Sequence, residues 1–271
     1  MTDKYAVIGN PIEHSKSPQI HTAFAEQTDE DVSYGRILGD SFDDDVRAFI
    51  ANGGKGLNIT VPFKEDAWKF ADERSPRAET AGAVNTLILL EDGNLRGDNT
   101  DGVGLVRDLM ENHSVALKNQ RILLLGAGGA SKGVVRPLLE QKPQQLMIAN
   151  RTAAKAVILA EELQSIGPVE GCGLQELDGH QFDIIINGTA AGLGGEVPSI
   201  PDNCLTPGGI TYDMMYSDEP TAFMQWGLDH GAVKALDGLG MLVEQAAESF
   251  FLWRNVRPQT GAVIRLLRPD A

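Results

Sequence analysis

A glycine-rich segment at residues 126–130 has the composition of a loop that binds phosphate groups. A short apolar run, Ile122 to Leu125, has the length of a buried parallel strand, and a helical pattern resumes at Ser131. Gly126 would permit the tight turn, and Gly128 would let backbone N–H groups approach a pyrophosphate at the positive end of that helix. Ser131 stands where the fingerprint G-x-G-x-x-G has its third glycine. The segment therefore predicts a dinucleotide site with one departure from the strict pattern.

The residues after the next apolar run indicate which dinucleotide this loop would bind. Residues 146–149 read as a strand, and Asn150-Arg151-Thr152 follow where an NAD site usually has Asp or Glu. Arg151 offers a planar, bidentate set of donors, and Lys155 lies one helical turn further on. Both cations could pair with a 2′-phosphate. We therefore predict that the cofactor is NADP.

Length, hydropathy and charge exclude several classes of protein. A chain of 271 residues exceeds the usual size of one core, so about two domains are expected. Hydrophobic residues make up 42% of the chain but are dispersed, with no apolar run near the ~20 residues that a membrane span needs. The net charge is −15, and the basic residues form no stripe that could follow a duplex. We expect a small-molecule substrate and neither a membrane nor a nucleic-acid partner.

Cysteine and histidine usage points to a reducing compartment and a protein without a metal. Cys172 and Cys204 are far apart in sequence and cannot supply a disulfide framework or a four-ligand zinc site. The five histidines show no two-His spacing typical of a metal site. The first residues lack the apolar core of a signal peptide. These features predict a cytoplasmic enzyme. The sequence leaves its oligomeric state open between a monomer and a homodimer.

The first hundred residues alternate strand and helix patterns. Strands are predicted at 5–8, 32–38, 57–61 and 84–90, and helices at 17–27, 43–51 and 63–72. The dipeptide Ser17-Pro18 is typical of a helix start with Ser17 as the N-cap. Turn residues at 91–94 predict a hairpin into Leu95. The pattern indicates a mixed α/β unit.

The rest of the chain predicts a doubly wound unit and two final helices. A helix at 102–112 would lead into parallel strands at 122–125, 146–149, 183–187, 210–213 and 233–236. Helices are predicted at 241–254 and 260–267. The expected fold class is α/β, with an N-terminal mixed α/β substrate domain, a Rossmann-type doubly wound NADP-binding domain, and C-terminal helices that return to the first domain. We expect the substrate-binding and catalytic domain at 1–101, completed by 238–271, and the NADP-binding domain at 102–237.

Polar residues cluster in first-domain loops that follow predicted strands, at 9–18, 58–64, 82–86 and 97–102. Among them are Ser15-Lys16-Ser17 and Asn99-Thr100-Asp101. Together with the glycine-rich loop, residues 150–152, 212–216 and 237–245, these segments resemble the shikimate dehydrogenase family in the same order. The resemblance spans nearly the whole chain, and ordered motifs at scattered positions are far more specific than any one of them.

The resemblance implies NADP-dependent, reversible reduction of 3-dehydroshikimate to shikimate, in the pathway to chorismate and aromatic amino acids. Hydride transfer to and from a ring alcohol needs a group that exchanges the hydroxyl proton. Lys64 and Asp101 match the catalytic pair of the family, and both would touch the reacting hydroxyl. Either of the two could carry the proton. From sequence alone, Lys64 could equally be a solvated cation that opens a helix.

The resemblance also implies the binding residues. Ser15 and Ser17 match the pair that binds the substrate carboxylate, although Ser17 could also cap its helix. Further substrate contacts carried over by position are Asn58, Thr60, Asn85, Tyr216 and Gln245. The cofactor residues carried over are Gly126, Ala127, Gly128, Gly129 and Ala130 in the phosphate loop, Asn150, Arg151, Thr152 and Lys155 at the 2′-phosphate, and Thr189, Met214, Gly238 and Met241 elsewhere, the last three around the nicotinamide.

Three other interpretations compete with this one. A quinate/shikimate dehydrogenase that also uses NAD would carry an acidic residue just after the second Rossmann strand, and residues 152–154 contain none. A non-catalytic shikimate-binding relative would not need Lys64 and Asp101. Methylenetetrahydrofolate dehydrogenases share the domain arrangement but are not expected to carry the Ser15 and Asp101 motifs.

Overall fold

The computed structural model describes residues 2–189, 191 and 195–268. The chain forms two compact units. One consists of Met1–Gly104 with Leu242–Ala271, and the other of Leu105–Met241. In the part of the chain that is described, no helix is both long and apolar enough to cross a membrane.

The first unit is built on a six-stranded mixed sheet with the order β2-β1-β3-β5-β6-β4. Its strands are β1 (Asp3–Gly9), β2 (Val32–Leu38), β3 (Gly54–Ile59), β4 (Glu73–Arg74), β5 (Thr86–Leu89) and β6 (Leu95–Asp98). Its helices up to residue 107 are α1 (Ser17–Thr28), α2 (Phe42–Ala51), α3 (Lys64–Phe70), α4 (Pro76–Ala81) and α5 (Asp101–Arg107), the last of which runs across the unit boundary. The predicted hairpin is confirmed, because β5 and β6 pair antiparallel across the turn.

The second unit is a doubly wound sheet of six parallel strands. They are β7 (Arg121–Leu125), β8 (Gln145–Asn150), β9 (Val169–Gly173), β10 (Phe182–Asn187), β11 (Leu205–Asp213) and β12 (Lys234–Leu236). Its helices include α6 (Gly129–Glu140), α7 (Ala153–Leu163) and α8 (Ala222–Asp229). The spatial order β9-β8-β7-β10-β11-β12 is that of a dinucleotide-binding Rossmann sheet, whose direction of winding reverses between β7 and β10. The predicted fold class is confirmed.

The two final helices are α9 (Leu239–Arg254) and α10 (Thr260–Leu267). Ile20 and Phe24 of α1 pack with Phe250 of α9 and Val263 of α10 in one buried cluster. The Trp253 ring also stacks on Tyr5 of β1, with ring centroids 4.6 Å apart. Burial of this apolar surface fixes the C-terminal helices in the first unit, as the sequence predicted.

Several local predictions were wrong in detail, among them three at helix ends. Helix α6 begins at Gly129 and not at Ser131, since Gly128 is already its N-cap. The helix at 102–112 is α-helical only as far as Arg107 and continues as a π-helix, Asp108–Asn112. Ser17 is the first residue of α1 and not its cap, because Lys16 takes the cap position and no side chain there accepts a backbone hydrogen bond.

Candidate active site

An ion pair joins the first turns of two helices in the first unit. Lys64 is the first residue of α3, Asp101 is the first of α5, and Lys64 Nζ lies 2.7 Å from Asp101 Oδ2. The Asp101 side chain is 14% exposed and that of Lys64 is 32% exposed. The carboxylate is therefore largely enclosed, while the ammonium keeps an open side that a ligand can reach.

Asn85 holds the other oxygen of this carboxylate. Its Nδ2 donates to Asp101 Oδ1 at 2.7 Å and to Thr100 Oγ1 at 2.9 Å. Its Oδ1 accepts from the Thr100 backbone N–H at 2.9 Å. Asn85 is 3% exposed, so its amide has little freedom to rotate away. Asp101 is thus held by a cation on one oxygen and by a buried amide on the other.

A second buried amide, Asn58, lies on β3 beside this network. Asn58 Nδ2 donates to Ser249 Oγ at 3.0 Å, and its Oδ1 accepts from the Tyr34 hydroxyl at 2.7 Å. Burial raises the pKa of the Tyr34 phenol well above its usual value, and the hydrogen bond with Ser17 only partly opposes this shift. The phenol therefore stays neutral and remains a donor. Tyr34 links two predicted substrate residues, Ser17 and Asn58.

The remaining predicted substrate residues of the first unit are half-buried. Ser15 Oγ accepts from the Ser17 backbone N–H at 3.3 Å, which brings the predicted carboxylate-binding pair together. Gln245 Oε1, on α9, lies 3.4 Å from Asn85 Nδ2. The Thr60 backbone N–H is bound to Ile8 O of β1 at 3.0 Å. The first unit thus gathers Lys64, Asp101, Asn85, Asn58, Gln245 and their supporting hydroxyls into one polar network.

The glycine-rich loop of the second unit fits a pyrophosphate. Gly126 has φ +104°, a conformation that favours glycine, and Ala127 is buried beneath the loop. Gly128, Gly129 and Ala130 are exposed at the start of α6. An added Cβ at Gly128 or Gly129 would meet nothing within 4 Å, so space is open above their backbone N–H groups. The first N–H groups of a helix lack partners within it and favour anions.

Ser131, the departure from the three-glycine pattern, is accommodated by glycines opposite it. It is fully buried, and its Oγ lies 3.3 Å from Gly188 O. A Cβ at Gly188 would come within 2.6 Å of Ser131 Oγ, and one at Gly126 within 2.9 Å. Gly188 therefore leaves the room that Ser131 takes. The sequence contains both Ser131 and Gly188, but no motif connects them, so the sequence analysis did not predict this contact.

The predicted 2′-phosphate residues surround the start of α7. Arg151 and Lys155 are exposed, and neither forms an ion pair with any other residue that the structure describes. Thr152 is the N-cap of α7 but its side chain makes no cap hydrogen bond, and Asn150 Nδ2 donates to Thr152 O at 3.0 Å. Two uncommitted cations and an uncapped helix N-terminus form a site suited to an anion.

Met214, Gly238 and Met241 come together at the end of β11. A Cβ at Gly238 would lie 2.3 Å from Met214 O, so the two backbones are in close contact. Met241 is buried in the core of this unit, and Met214 packs against the same cluster. Tyr216 also belongs to this unit, where burial, with lesser effects of Asp218 and Asp237, raises the pKa of its phenol.

Thr189 is held by Asn187, a residue that the sequence analysis did not single out. Both the Thr189 backbone N–H, at 3.1 Å, and its hydroxyl, at 2.7 Å, donate to Asn187 Oδ1. Asn187 Nδ2 donates to Asp213 Oδ1 at 3.1 Å, and all of the Asn187 side chain is buried. Thr86, Thr100 and Ser249 are similar buried supports in the first unit. Each is a polar residue at a strand end or on a helix, which sequence alone does not distinguish from a turn residue.

Family profiles match three parts of the chain. "Shikimate dehydrogenase substrate binding domain" matches residues 7–87, "Shikimate / quinate 5-dehydrogenase" matches 108–193, and "Shikimate 5'-dehydrogenase C-terminal domain" matches 238–268. A curated relative from Alkalilimnicola ehrlichii, "Shikimate dehydrogenase (NADP(+))", is 58% identical over 272 residues, which cover 100% of both chains.

Solved structures give the same result. A shikimate 5-dehydrogenase from Listeria monocytogenes in complex with shikimate and NAD has a TM-score of 0.88 at 27% identity, covering 98% of this chain and 96% of that one. The enzyme from Thermus thermophilus in complex with NADP(H) and shikimate has a TM-score of 0.85 at 29% identity, covering 97% of this chain and 98% of that one.

The Rossmann sheet, its open phosphate loop and the adjoining cations define a dinucleotide-binding oxidoreductase. More specifically, the chain belongs to the shikimate dehydrogenase family.

Proposed function

We propose that this protein catalyses the NADP-dependent, reversible reduction of 3-dehydroshikimate to shikimate, a step on the way to chorismate and the aromatic amino acids. The main structural support for this proposal is the ion pair between Lys64 Nζ and Asp101 Oδ2. The buried amide of Asn85 holds the other oxygen of Asp101. A pair of this kind can exchange a proton with a ring hydroxyl. NADP supplies the hydride acceptor for shikimate oxidation and, when reduced, the hydride donor for the reverse reaction.

Lys64 is the proton carrier in this proposal. Its ammonium has three N–H donors, one of which is committed to Asp101 Oδ2 at 2.7 Å. The others can point from the open side of the residue to the substrate oxygen. During reduction of the ketone, Nζ gives a proton to the carbonyl oxygen as the hydride arrives at carbon. Oxidation of the alcohol is the reverse of this step: the amine form of Nζ, which has already lost a proton, takes the hydroxyl proton as the hydride leaves.

Asp101 and Asn85 keep Lys64 in position. Both carboxylate oxygens of Asp101 accept short hydrogen bonds, at 2.7 Å from Lys64 Nζ and 2.7 Å from Asn85 Nδ2. The carboxylate therefore holds the ammonium in one place and can accept a hydrogen bond from the reacting hydroxyl. Holding the reacting groups in one geometry removes much of the entropic cost of the reaction.

The other predicted substrate residues supply donors and acceptors for the remaining oxygens of shikimate. Ser15 and Ser17 would donate to its carboxylate through their hydroxyl groups. Its ring hydroxyls would exchange hydrogen bonds with Asn58, Thr60, Asn85, Gln245 and Tyr216. The phenol of Tyr216 has a raised pKa and so remains a neutral donor. A site of neutral donors that discriminates between hydroxyl patterns is expected to reject substrates lacking one of them.

The second unit would bind NADP through its two anion sites. The pyrophosphate would lie over residues 126–130 at the N-terminus of α6, and Asn150, Arg151, Thr152 and Lys155 would receive the 2′-phosphate. Met214, Gly238 and Met241 would lie near the nicotinamide, and Thr189 would be a further cofactor contact. Arg151 and Lys155 support NADP over NAD, since their charges have no protein partner in the described residues.

We also propose that the protein works in the cytoplasm, as a monomer or homodimer, without a nucleic-acid or membrane partner. The net charge of −15 opposes binding to a polyanion. Cys172 and Cys204 are both free, and burial raises the pKa of each thiol to about 11. Unreactive, unpaired thiols suit a reducing compartment.

A panel of cofactors and alcohols tests the proposed function. The purified protein is incubated with shikimate or quinate and with NADP or NAD, and formation of reduced cofactor is followed by absorbance. The proposal predicts the highest kcat/KM for shikimate with NADP. No turnover of shikimate with either cofactor would overturn the function, while equal kcat/KM with NAD would overturn only the cofactor assignment.

A further inference from the structure

Asp108 is a carboxylate with no solvent exposure in the core of the second unit. It opens the π-helix, and its Oδ2 accepts a hydrogen bond from the Tyr212 hydroxyl at 2.7 Å. Its Oδ1 accepts from Asn112 Nδ2 at 2.9 Å and lies 3.6 Å from His113 Nε2. Tyr212 on β11 is also completely buried. Burying a carboxylate is costly unless several donors face it, and π-helical turns are frequent at functional sites.

The same carboxylate lies against the first turn of α9. A Cβ at Gly240 would come within 1.9 Å of Asp108 Oδ1, so only a glycine allows this approach. The first N–H groups of a helix have no partner within it, and the N-terminus attracts negative charge. The Tyr212 hydroxyl binds the other oxygen of this carboxylate, Oδ2, at 2.7 Å.

This turn carries residues assigned above to the nicotinamide surroundings. Gly238, just before α9, is in backbone contact with Met214. Met241 ends the segment that belongs to the second unit. The carboxylate of Asp108 therefore lies against the turn that carries Met241 and follows Gly238, with the Tyr212 hydroxyl bound to it. Neither Asp108 nor Tyr212 was assigned to the cofactor or the substrate.

We propose that Asp108 and Tyr212 are positioning residues, which hold the first turn of α9 so that Gly238 and Met241 keep the nicotinamide in the orientation for hydride transfer. The inference rests on the proposed function, since it assumes that these residues border the nicotinamide. It assigns to the pair no contact with substrate or cofactor. Asp108 and Tyr212 act through the backbone of residues 238–241.

Tyr212→Phe tests this role, because it removes one hydroxyl and keeps the ring. Thr211→Val is the matched control: it removes a buried hydroxyl from the neighbouring residue of β11, whose Oγ1 has no hydrogen-bond partner among the described residues. Three measurements are made on both variants: hydrogen–deuterium exchange of the peptide spanning 238–243, fluorescence of bound NADPH with its Kd, and the isotope effect on kcat with shikimate deuterated at the carbon that loses hydride.

In Tyr212→Phe, we expect faster exchange in the 238–243 peptide and NADPH emission closer to that of the free cofactor. We expect Kd for NADPH and KM for shikimate to stay within about twofold, while kcat falls roughly 10- to 100-fold, because a misplacement near 1 Å is enough to cause such a loss. The isotope effect should rise, since hydride transfer then limits turnover. A general loss of folded protein would lower kcat with no change in the isotope effect. Thr211→Val should match the wild type in all three measurements.

An unchanged isotope effect, together with wild-type exchange at 238–243, would overturn the inference. If Tyr212→Phe does not fold, Asp108→Asn replaces it, and failure of both to fold would mean that the pair serves stability alone. Exchange and NADPH fluorescence do not require turnover. A protein that binds NADPH but does not oxidise shikimate would therefore contradict the proposed function and still leave the positioning role measurable.

Discussion

Lys64 Nζ donates a 2.7 Å hydrogen bond to Asp101 Oδ2, while Asn85 Nδ2 occupies Asp101 Oδ1 at the same distance. The two oxygens of the carboxylate therefore have different partners, a partly exposed cation and a buried amide. Loss of charge on Asp101 should disturb the position of Lys64 more than the fold around Asn85.

Asp101→Asn is expected to lower kcat for shikimate oxidation by about 10- to 1000-fold, because the neutral amide no longer anchors the ammonium that exchanges the proton. Part of the loss should appear as a higher KM, since the carboxylate also accepts from the reacting hydroxyl. Steady-state kinetics measure both. The control is Asp66→Asn on α3, whose carboxylate lies 3.5 Å from Lys69 on an exposed face. If Asp101→Asn has the kcat and KM of the wild type, Asp101 has no role in the active site.

Ser15→Ala and Ser17→Ala should each raise KM for shikimate, since a hydrogen bond to a carboxylate is worth about 1.5–3 kcal/mol, or roughly 10- to 150-fold. The melting temperature of Ser17→Ala should stay close to that of the wild type, because the Ser17 side chain does not cap α1. Ser41→Ala, at an exposed position before α2, is the control. KM values unchanged in both variants would show that the serines do not bind the carboxylate.

Arg151→Ala should raise KM for NADP strongly and change KM for NAD little, because only NADP carries the extra phosphate charges that Arg151 and Lys155 attract. Raising the salt concentration of the wild-type assay should weaken NADP more than NAD for the same reason. Arg136→Ala is the control, since Arg136 on α6 pairs with Glu140 at 3.0 Å. An equal rise in KM for NADP and NAD would mean that Arg151 stabilises the fold or contacts the adenine.

His21 predicts a specific pH dependence of stability. Burial lowers the pKa of its imidazole to about 3, although the Asn58 side chain opposes this shift, and the ring stacks on Tyr34 with centroids 4.2 Å apart. As the pH falls, the unfolded chain takes up the proton near pH ~6.5, while the folded chain does so only near pH 3. The contribution of His21 to the free energy of unfolding is therefore fully present above pH ~6.5. Below that pH, the free energy of unfolding falls by about 1.4 kcal/mol per pH unit.

Urea unfolding between about pH 6 and pH 4.5 measures this slope above the range in which most carboxylates titrate. We expect His21→Phe to flatten it, since phenylalanine keeps the stacked ring and takes up no proton. His180→Phe, at an exposed position, is the control and should keep the wild-type slope. The same slope in His21→Phe and in the wild type would contradict the assignment of His21 as a buried neutral imidazole.

Regular periodicity predicted the long elements well. The sequence placed β2 at 32–38 and α10 at 260–267, and the structure has the same bounds. The alternation of strand and helix after residue 121 also predicted a doubly wound sheet. In β2 half-buried and exposed residues largely alternate, and α10 buries Val263, so the order of apolar residues indicates both elements.

Short elements and helix ends were predicted less well, because tertiary contacts decide them. Helix α4 has six residues and was not predicted, although Ser75 caps it by accepting from the Ala78 backbone N–H. Asp108, the first residue of the π-helix, has a buried hydrogen-bond partner in Tyr212, which is distant in the sequence. The sequence likewise indicated the types of the candidate site residues, but not the buried amide of Asn85 that joins Asp101 to Thr100.

The central claim, that Lys64 exchanges the proton of the reacting hydroxyl, is tested most directly by kcat of Lys64→Ala for shikimate oxidation with NADP. Lys69→Ala, on the same helix and with a side chain that is 67% exposed, is the matched control. The account predicts a folded Lys64→Ala protein whose kcat is lower by about 10²- to 10⁴-fold, beside wild-type kcat in Lys69→Ala. A Lys64→Ala enzyme that kept more than about a third of wild-type kcat, far outside that range, would contradict it.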